Sequence, residues 1–150
     1  MEREMSCLYC AKDHPDRDAL MLFVMGLSVS RLYLMRDQFY PGRCVVAYNN
    51  HLTELFLLPE EDQAAFIQDV SRTARAVARL CSADKINYAI YGDLVSHLHM
   101  HIVPKQRSCS GWGTAFINNN QAPMILTSVE YDRFLERLRF ELGYNSFSAV

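Results

Sequence analysis

The chain has no surplus of charge of either sign. Among its 150 residues, 15 Lys and Arg stand against 17 Asp and Glu, a formal net charge of -2. That leaves no basic footprint for duplex nucleic acid, whose binding rests on phosphate neutralisation, so no nucleic-acid partner is expected. Long apolar runs are also missing. The longest, Ala19 to Val29, is interrupted by Gly26 and Ser28. A membrane helix needs about 20 apolar residues, and the flanks do not suit a signal peptide, so no membrane association is expected. There is no internal repeat, no low-complexity tract and no glycine-rich phosphate loop. The cysteines number five, an odd count with no secretory signal before them. They are read as thiols or metal ligands in a reducing, cytoplasmic setting. What is present is ordinary for a globular protein: half the residues are hydrophobic and 21% charged, enough for one domain over 1–150 with a proper core.

One stretch departs from the ordinary. His97-Leu98-His99-Met100-His101-Ile102-Val103-Pro104 places three histidines at alternate positions with apolar residues between them. On a strand, successive side chains point to opposite faces, so the imidazoles share one face and Leu98, Met100 and Ile102 the other. On a helix, i and i+2 lie about 200° apart and no such face forms. Neighbouring histidines on a strand are roughly 6.5–7 Å apart at Cα. Zinc holds its ligand nitrogens within about 2.1 Å, so one ion takes two of them at most. Neutral imidazole is a good nucleophile toward phosphorus, and a ring N–H stabilises a phosphate oxygen. The pattern suits phosphoryl or nucleotidyl transfer, with a central attacker and flanking helpers. No carboxylate cluster surrounds it to demand magnesium.

Other segments read more simply. Cys7 to Asp18 is expected as an irregular loop carrying the C-x-x-C pair Cys7 and Cys10. Without a βαβ context a redox role does not suit it; as half a zinc site it needs two more ligands, with His51, His97 and the rival His14 available. Leu20 to Met25 and Val29 to Met35 predict a hairpin turning at Gly26-Leu27-Ser28, and Cys44 to Tyr48 a third strand. Asp37 to Gly42 is a connecting loop, in which Asp37 is either a solvated turn residue or a ligand contact. Pro59 to Leu80 predicts a helix with Phe66, Val70, Ala74, Val77 and Cys81 on one stripe, led by Glu60, Glu61 and Asp62. Its Arg72, Arg75 and Arg79 are read as a solvated face. Ile86 to Tyr91 and Ser96 to Val103 are the fourth and fifth strands, the last closed by Pro104. The small residues after Lys105, from Ser108 to Gly113, offer N–H groups to an anion that Lys105 would neutralise. Thr127 and Glu130 form a capping box, with Leu126 and Tyr131 as a staple, for a last helix that Gly143 ends; residues 144–150 are expected as a mobile tail.

The alternating histidines, preceded by Gly92-Asp93 and followed by Pro104-Lys105, resemble the signature of the histidine triad superfamily of nucleotide hydrolases and transferases. Lys85-Ile86-Asn87-Tyr88, Tyr91 to Ser96, and Pro41-Gly42-Arg43-Cys44-Val45-Val46 leading to His51 add to the likeness, which spans roughly Cys7 to Pro104. The fold expected is α+β: an antiparallel sheet of about five strands with one long helix and a C-terminal helix. The resemblance implies that His99 attacks the α-phosphorus of a nucleoside phosphate derivative, forming a nucleotidyl-histidine, with His101 binding the phosphate and His97 assisting. It implies a structural zinc site of Cys7, Cys10, His51 and His97, as in the zinc-containing branch that resembles diadenosine polyphosphate hydrolases, with residues 1–18 as the zinc-binding loop. Asn87 is implied near the phosphate and Asp37 at the ribose; Phe39 is a candidate for the base pocket. An adenine nucleotide is the favoured substrate and a homodimer the expected assembly. Leu98, Met100 and a true His101 stand where transferase relatives have prolines and an altered third position, which favours hydrolysis. Phosphate as acceptor, or a nucleotide-binding regulator with little turnover, are the alternatives.

Overall fold

A computed structural model of the chain describes residues 6–118 and 122–143. The expected tail, 144–150, and the first five residues of the expected zinc-binding loop lie outside the described residues. The elements in order are α1 (Pro15–Leu20), β1 (Met21–Gly26), β2 (Ser30–Met35), β3 (Cys44–Tyr48), a short 3-10 turn (Leu55–Leu57), α2 (Glu60–Leu80), β4 (Lys85–Ile90), β5 (His99–Lys105) and α3 (Ser128–Glu141). Among the described residues the five strands form one sheet, ordered β1-β2-β3-β5-β4. Every pairing is antiparallel. The architecture is the expected α+β one.

Period-two alternation sorts the strands into two faces. One face sends Val24, Leu32, Leu34, Cys44, Val46, Met100 and Ile102 into the main core, against Phe66, Val70, Ala74 and Val77 of α2 and Leu135 and Leu138 of α3. Phe66 is fully buried there, worth about 1.5–3 kcal/mol by area removed from water. The other face carries Met21, Tyr33, Val45 and Ala47, covered by Cys7 and Tyr9 from the N-terminal segment. Farther along β5 the same face carries Val103, packed with Tyr40 and Phe116. The triad histidines lie on this second face, away from α2 and α3.

Side chains tie the connections down. Asp69 of α2 is buried and accepts hydrogen bonds from Ser28 N, Val29 N and Ser30 Oγ (3.1, 3.0 and 2.7 Å), docking the β1–β2 turn on the helix. Gly42 has a φ of 84°, and a Cβ there would collide with Cys81 Sγ, so the turn into β3 needs a glycine. The free edge of β1 is blunted by an irregularity between Phe23 and Met25 and by Arg139 of α3, whose Nε donates to Val24 O at 2.8 Å. The capping box of Thr127 and Glu130 opens α3 as expected. The Tyr131 hydroxyl accepts from Leu126 N at 3.1 Å and donates to Arg36 O at 2.5 Å, adding hydrogen bonds to the expected staple.

Three expectations change. Residues Cys7 to Asp18 are not wholly irregular, because α1 begins at Pro15, which fits a helix start. Arg17 of this helix folds back, donating to Ala11 O (2.7 Å) and Lys12 O (3.0 Å), so α1 is a clamp on the loop before it. The fifth strand begins at His99, not Ser96, so His97 stands just before it. Pro104 does not close that strand; it pairs with Ile86 inside it. Lys105 O faces β4, accepting from Asp84 N, so Pro104 turns its missing N–H to the opposite side. There the ladder with β3 has already ended at Ile102, and no hydrogen bond is lost.

Candidate functional site

The triad is held by its apolar partners. Leu98 is fully buried in the main core. Its N–H donates to Leu52 O (2.6 Å) and its carbonyl accepts from Tyr48 N (3.0 Å), pinning the approach to β5 against the end of β3. His99 and His101 then emerge on the face away from α2 and α3, opposite Ala47 and Val45. The small Ala47 leaves room for the His99 ring. The rings of His99 and His101 meet edge-on at 5.2 Å. Tyr9 lies against both His97 (5.3 Å) and His99 (5.1 Å). All three imidazoles thus share one side, although His97 is outside the strand.

Fixed acceptors set two tautomers. His99 Nδ1 is 2.6 Å from His97 O. A carbonyl only accepts, so Nδ1 donates and Nε2 keeps the lone pair. His97 Nε2 likewise donates to Tyr48 O at 2.8 Å, leaving the lone pair on Nδ1. Burial pulls the pKa of His99 below its ordinary value, partly opposed by its bond to His97 O. Burial, then Arg43 and His99, pull His101 down to about 3. Both shifts favour the neutral ring.

A cavity of about 350 Å³ opens beside these rings. Leu8, Tyr9, Leu20, Met21 and Met35 form an apolar wall; Tyr91, Leu94 and Val95 form another; Asp93, His99, His101, Arg43 and Asn118 supply polar groups. The mix of apolar walls and a few convergent polar groups is that of a small-molecule site. Arg43 is buried and reaches His101 Nδ1 with Nη2 at 3.3 Å.

The expected zinc ligands converge. Cys7, Cys10, His51 and His97 each offer one ligand atom, and these atoms all lie within 4.8 Å of one another. His97 Nδ1, the nitrogen with the lone pair, is 3.4 Å from both Cys7 Sγ and Cys10 Sγ. His51 Nδ1 is 3.3 Å from Cys10 Sγ. Zinc–sulfur and zinc–nitrogen bonds of about 2.3 and 2.0–2.1 Å give a tetrahedral S···N edge of roughly 3.6 Å. Donor set and spacing fit a four-coordinate, closed site. His14, the rival ligand, is not in this group.

The other expected contacts do not line the cavity. Asp37 Oδ1 accepts from Phe39 N (3.0 Å) and Met124 N (2.9 Å), which is a turn role. Phe39 packs edge-on against Tyr40. Lys105 is buried, and its Nζ donates to Gly111 O (2.6 Å) and Thr114 O (2.7 Å), closing the following loop rather than waiting for an anion. Asn87 pairs with Val103, on the histidine face but two positions beyond His101. Sequence reasoning missed Arg43, Tyr9 and Asn118. Arg43 carried a signal: it lies in phase with Val45, the residue opposite His101, just before an apolar strand.

The pattern of the HIT domain matches residues 23–108. The chain belongs to the HIT domain family. Solved structures agree. A histidine triad protein from Bradyrhizobium japonicum superposes with a TM-score of 0.78 at 25% identity, over 87% of this chain and 97% of that one. A histidine triad protein from Marinobacter aquaeolei has the same fold, with a TM-score of 0.78 at 21% identity over 87% and 94% of the two chains. A Zn-bound histidine triad family protein from Mycobacterium smegmatis matches with a TM-score of 0.61 at 25% identity, over 93% and 95%. No curated protein sequence matches this HIT domain chain.

Proposed function

We propose that this HIT domain protein is a nucleotide hydrolase of the zinc-containing, diadenosine polyphosphate hydrolase-like kind. It cleaves a diadenosine polyphosphate or another AMP conjugate at the α-phosphorus. The observation that carries the reading is the bond from His99 Nδ1 to His97 O, which leaves an Nε2 lone pair on a ring lining the cavity. That lone pair attacks phosphorus. The new bond is N–P; the bond from phosphorus to the leaving group breaks, and the leaving group departs with its electron pair. Water then attacks the nucleotidyl-histidine, the P–N pair returns to Nε2, and the water's proton passes to solvent or to the departed group. His101 binds the phosphate oxygens, and the apolar wall of Leu8, Leu20, Met21 and Met35 receives the nucleoside.

Cys7, Cys10, His51 and His97 would hold zinc, a fit supported by their convergence and by the Zn-bound relative. Bound there, the ion supplies a structural crosslink between the N-terminal loop, the end of β3 and the residue whose carbonyl orients His99. His97, its lone pair directed to the metal, is thereby a positioning residue and not a free acid or base.

The test is incubation with a panel of diadenosine polyphosphates and adenosine phosphoramidate, with and without inorganic phosphate, beside His99→Ala. AMP release by the parent and a loss of about 10⁴-fold or more in the variant are expected. Near-normal turnover by folded His99→Ala, or no release from any compound by the parent, would overturn the reading. ADP formed only with phosphate would replace hydrolysis by phosphorolysis.

A further inference from the structure

Arg43 is a buried cation whose hydrogen-bond partners, among the described residues, are all neutral; the Asp37 carboxylate acts on it through space. It is 2% exposed. Nη1 donates to Asn118 O at 3.0 Å, and Nη2 to Asn118 Oδ1 at 2.5 Å. The Phe116 ring lies 5.1 Å from the guanidinium carbon. The second Nη2 hydrogen is directed at His101 Nδ1, 3.3 Å away. Burying a charge with no carboxylate hydrogen-bonded to it is costly. Here the two terminal nitrogens are braced by the loop after β5, and Nη2 is also aimed at one imidazole nitrogen.

A guanidinium has no acceptor. His101 Nδ1 must therefore present its lone pair to Arg43, and the neutral ring carries its proton on Nε2. We propose that Arg43 is a positioning residue that locks His101 in the Nε2–H tautomer, so that the ring presents a hydrogen-bond donor to an anionic phosphate oxygen. Asn118 is the seat that keeps the arginine in register. The two neighbouring histidines are then held in opposite tautomers by different devices. A backbone carbonyl makes His99 an Nε2 lone pair, and an arginine makes His101 an Nε2 donor. This inference rests on the nucleotide-phosphate reading of the cavity, but its first test needs no substrate.

Side-chain ¹⁵N–¹³C NMR of the full-length protein, as purified, reads the tautomer of each histidine. His101 is expected as neutral Nε2–H in the parent. In Arg43→Met it is expected to populate both tautomers, and in Asn118→Ala to do so partially. With an AMP conjugate, Arg43→Met should lose about 10- to 100-fold in kcat, as when a partner of a reacting group is removed, with a smaller change in KM. Arg43→Lys, which keeps the charge without the fork, should recover only part of it. A parent His101 that is Nδ1–H or cationic would overturn the proposal. So would a folded Arg43→Met with His101 unchanged and kcat within twofold of the parent. If Arg43→Met does not fold, the parent spectrum and Asn118→Ala decide. Should His101 show the Nε2–H form while no nucleotide is cleaved, the hydrolase reading falls and the tautomer assignment stands.

Discussion

Asp69→Ala removes the acceptor that docks the β1–β2 turn on α2. Three donors lose a partner: Ser28 N, Val29 N and Ser30 Oγ. Ser28 is exposed and its N–H turns to water at little cost. Ser30 is fully buried and Val29 partly so. Two unsatisfied donors at about 1–3 kcal/mol each give a loss of roughly 3 kcal/mol. For a chain of this length that is a fall in Tm of about 6–12 °C. Asp69→Asn keeps one acceptor oxygen and should lose about half as much. Ser30→Ala added to Asp69→Ala should cost less than the sum of the singles, because both break the same hydrogen bond. Calorimetry and urea unfolding measure all four. A Tm within 2 °C of the parent for Asp69→Ala, or strict additivity with Ser30→Ala, would refute the reasoning.

Two further outcomes follow from the site. Removing zinc with excess chelator should destabilise the fold by about 2.7 kcal/mol if the ion is present at a hundred times its dissociation constant. Activity should decline with that loss and not ahead of it; metal analysis finding folded, active protein free of zinc would contradict the ligand set. For pH, burial holds His99 and His101 below the ordinary histidine pKa of about 6.5. The unfolded chain therefore takes up protons first as pH falls. Stability should be level above pH 7 and decline below about 6.5, by up to about 1.4 kcal/mol per pH unit for each such histidine. Urea midpoints from pH 8 to 5 test this. His101→Gln should flatten the decline, and stability that rises on acidification would contradict it.

Where the pattern was local, the sequence carried the answer. Cys44–Tyr48 is the third strand as its apolar run reads, and the Thr127–Glu130 capping box is local chemistry that needs no tertiary partner. The alternating histidines named their own face because period two follows from strand geometry. The fifth strand starts three residues later than expected and ends two later because its limits are set by partners, not by its own sequence. His97 is tied to a turn through its N–H on Val95 O, and Pro104 is tolerated only because β3 ends before it. The helix Pro15–Leu20 escaped notice since six residues carry too little periodicity, and what settles it is the fold-back of Arg17. The residues expected around the substrate were the least legible. Lys105 reads as a cation free for a phosphate, yet two loop carbonyls occupy its ammonium group. Arg43 has no role of its own in the sequence reading, yet Asn118, 75 residues away, delivers it to His101. Such pairings depend on how two connections fold over one sheet face, which no local pattern encodes.

A covalent nucleotidyl-histidine on His99 would leave its mark in the stereochemical course at phosphorus. An AMP conjugate made chiral at its α-phosphorus with sulfur is hydrolysed in ¹⁸O-water and the product's configuration is read. Two successive in-line displacements, first by His99 Nε2 and then by water, predict retention. Inversion would mean that water attacks phosphorus directly and would contradict the account.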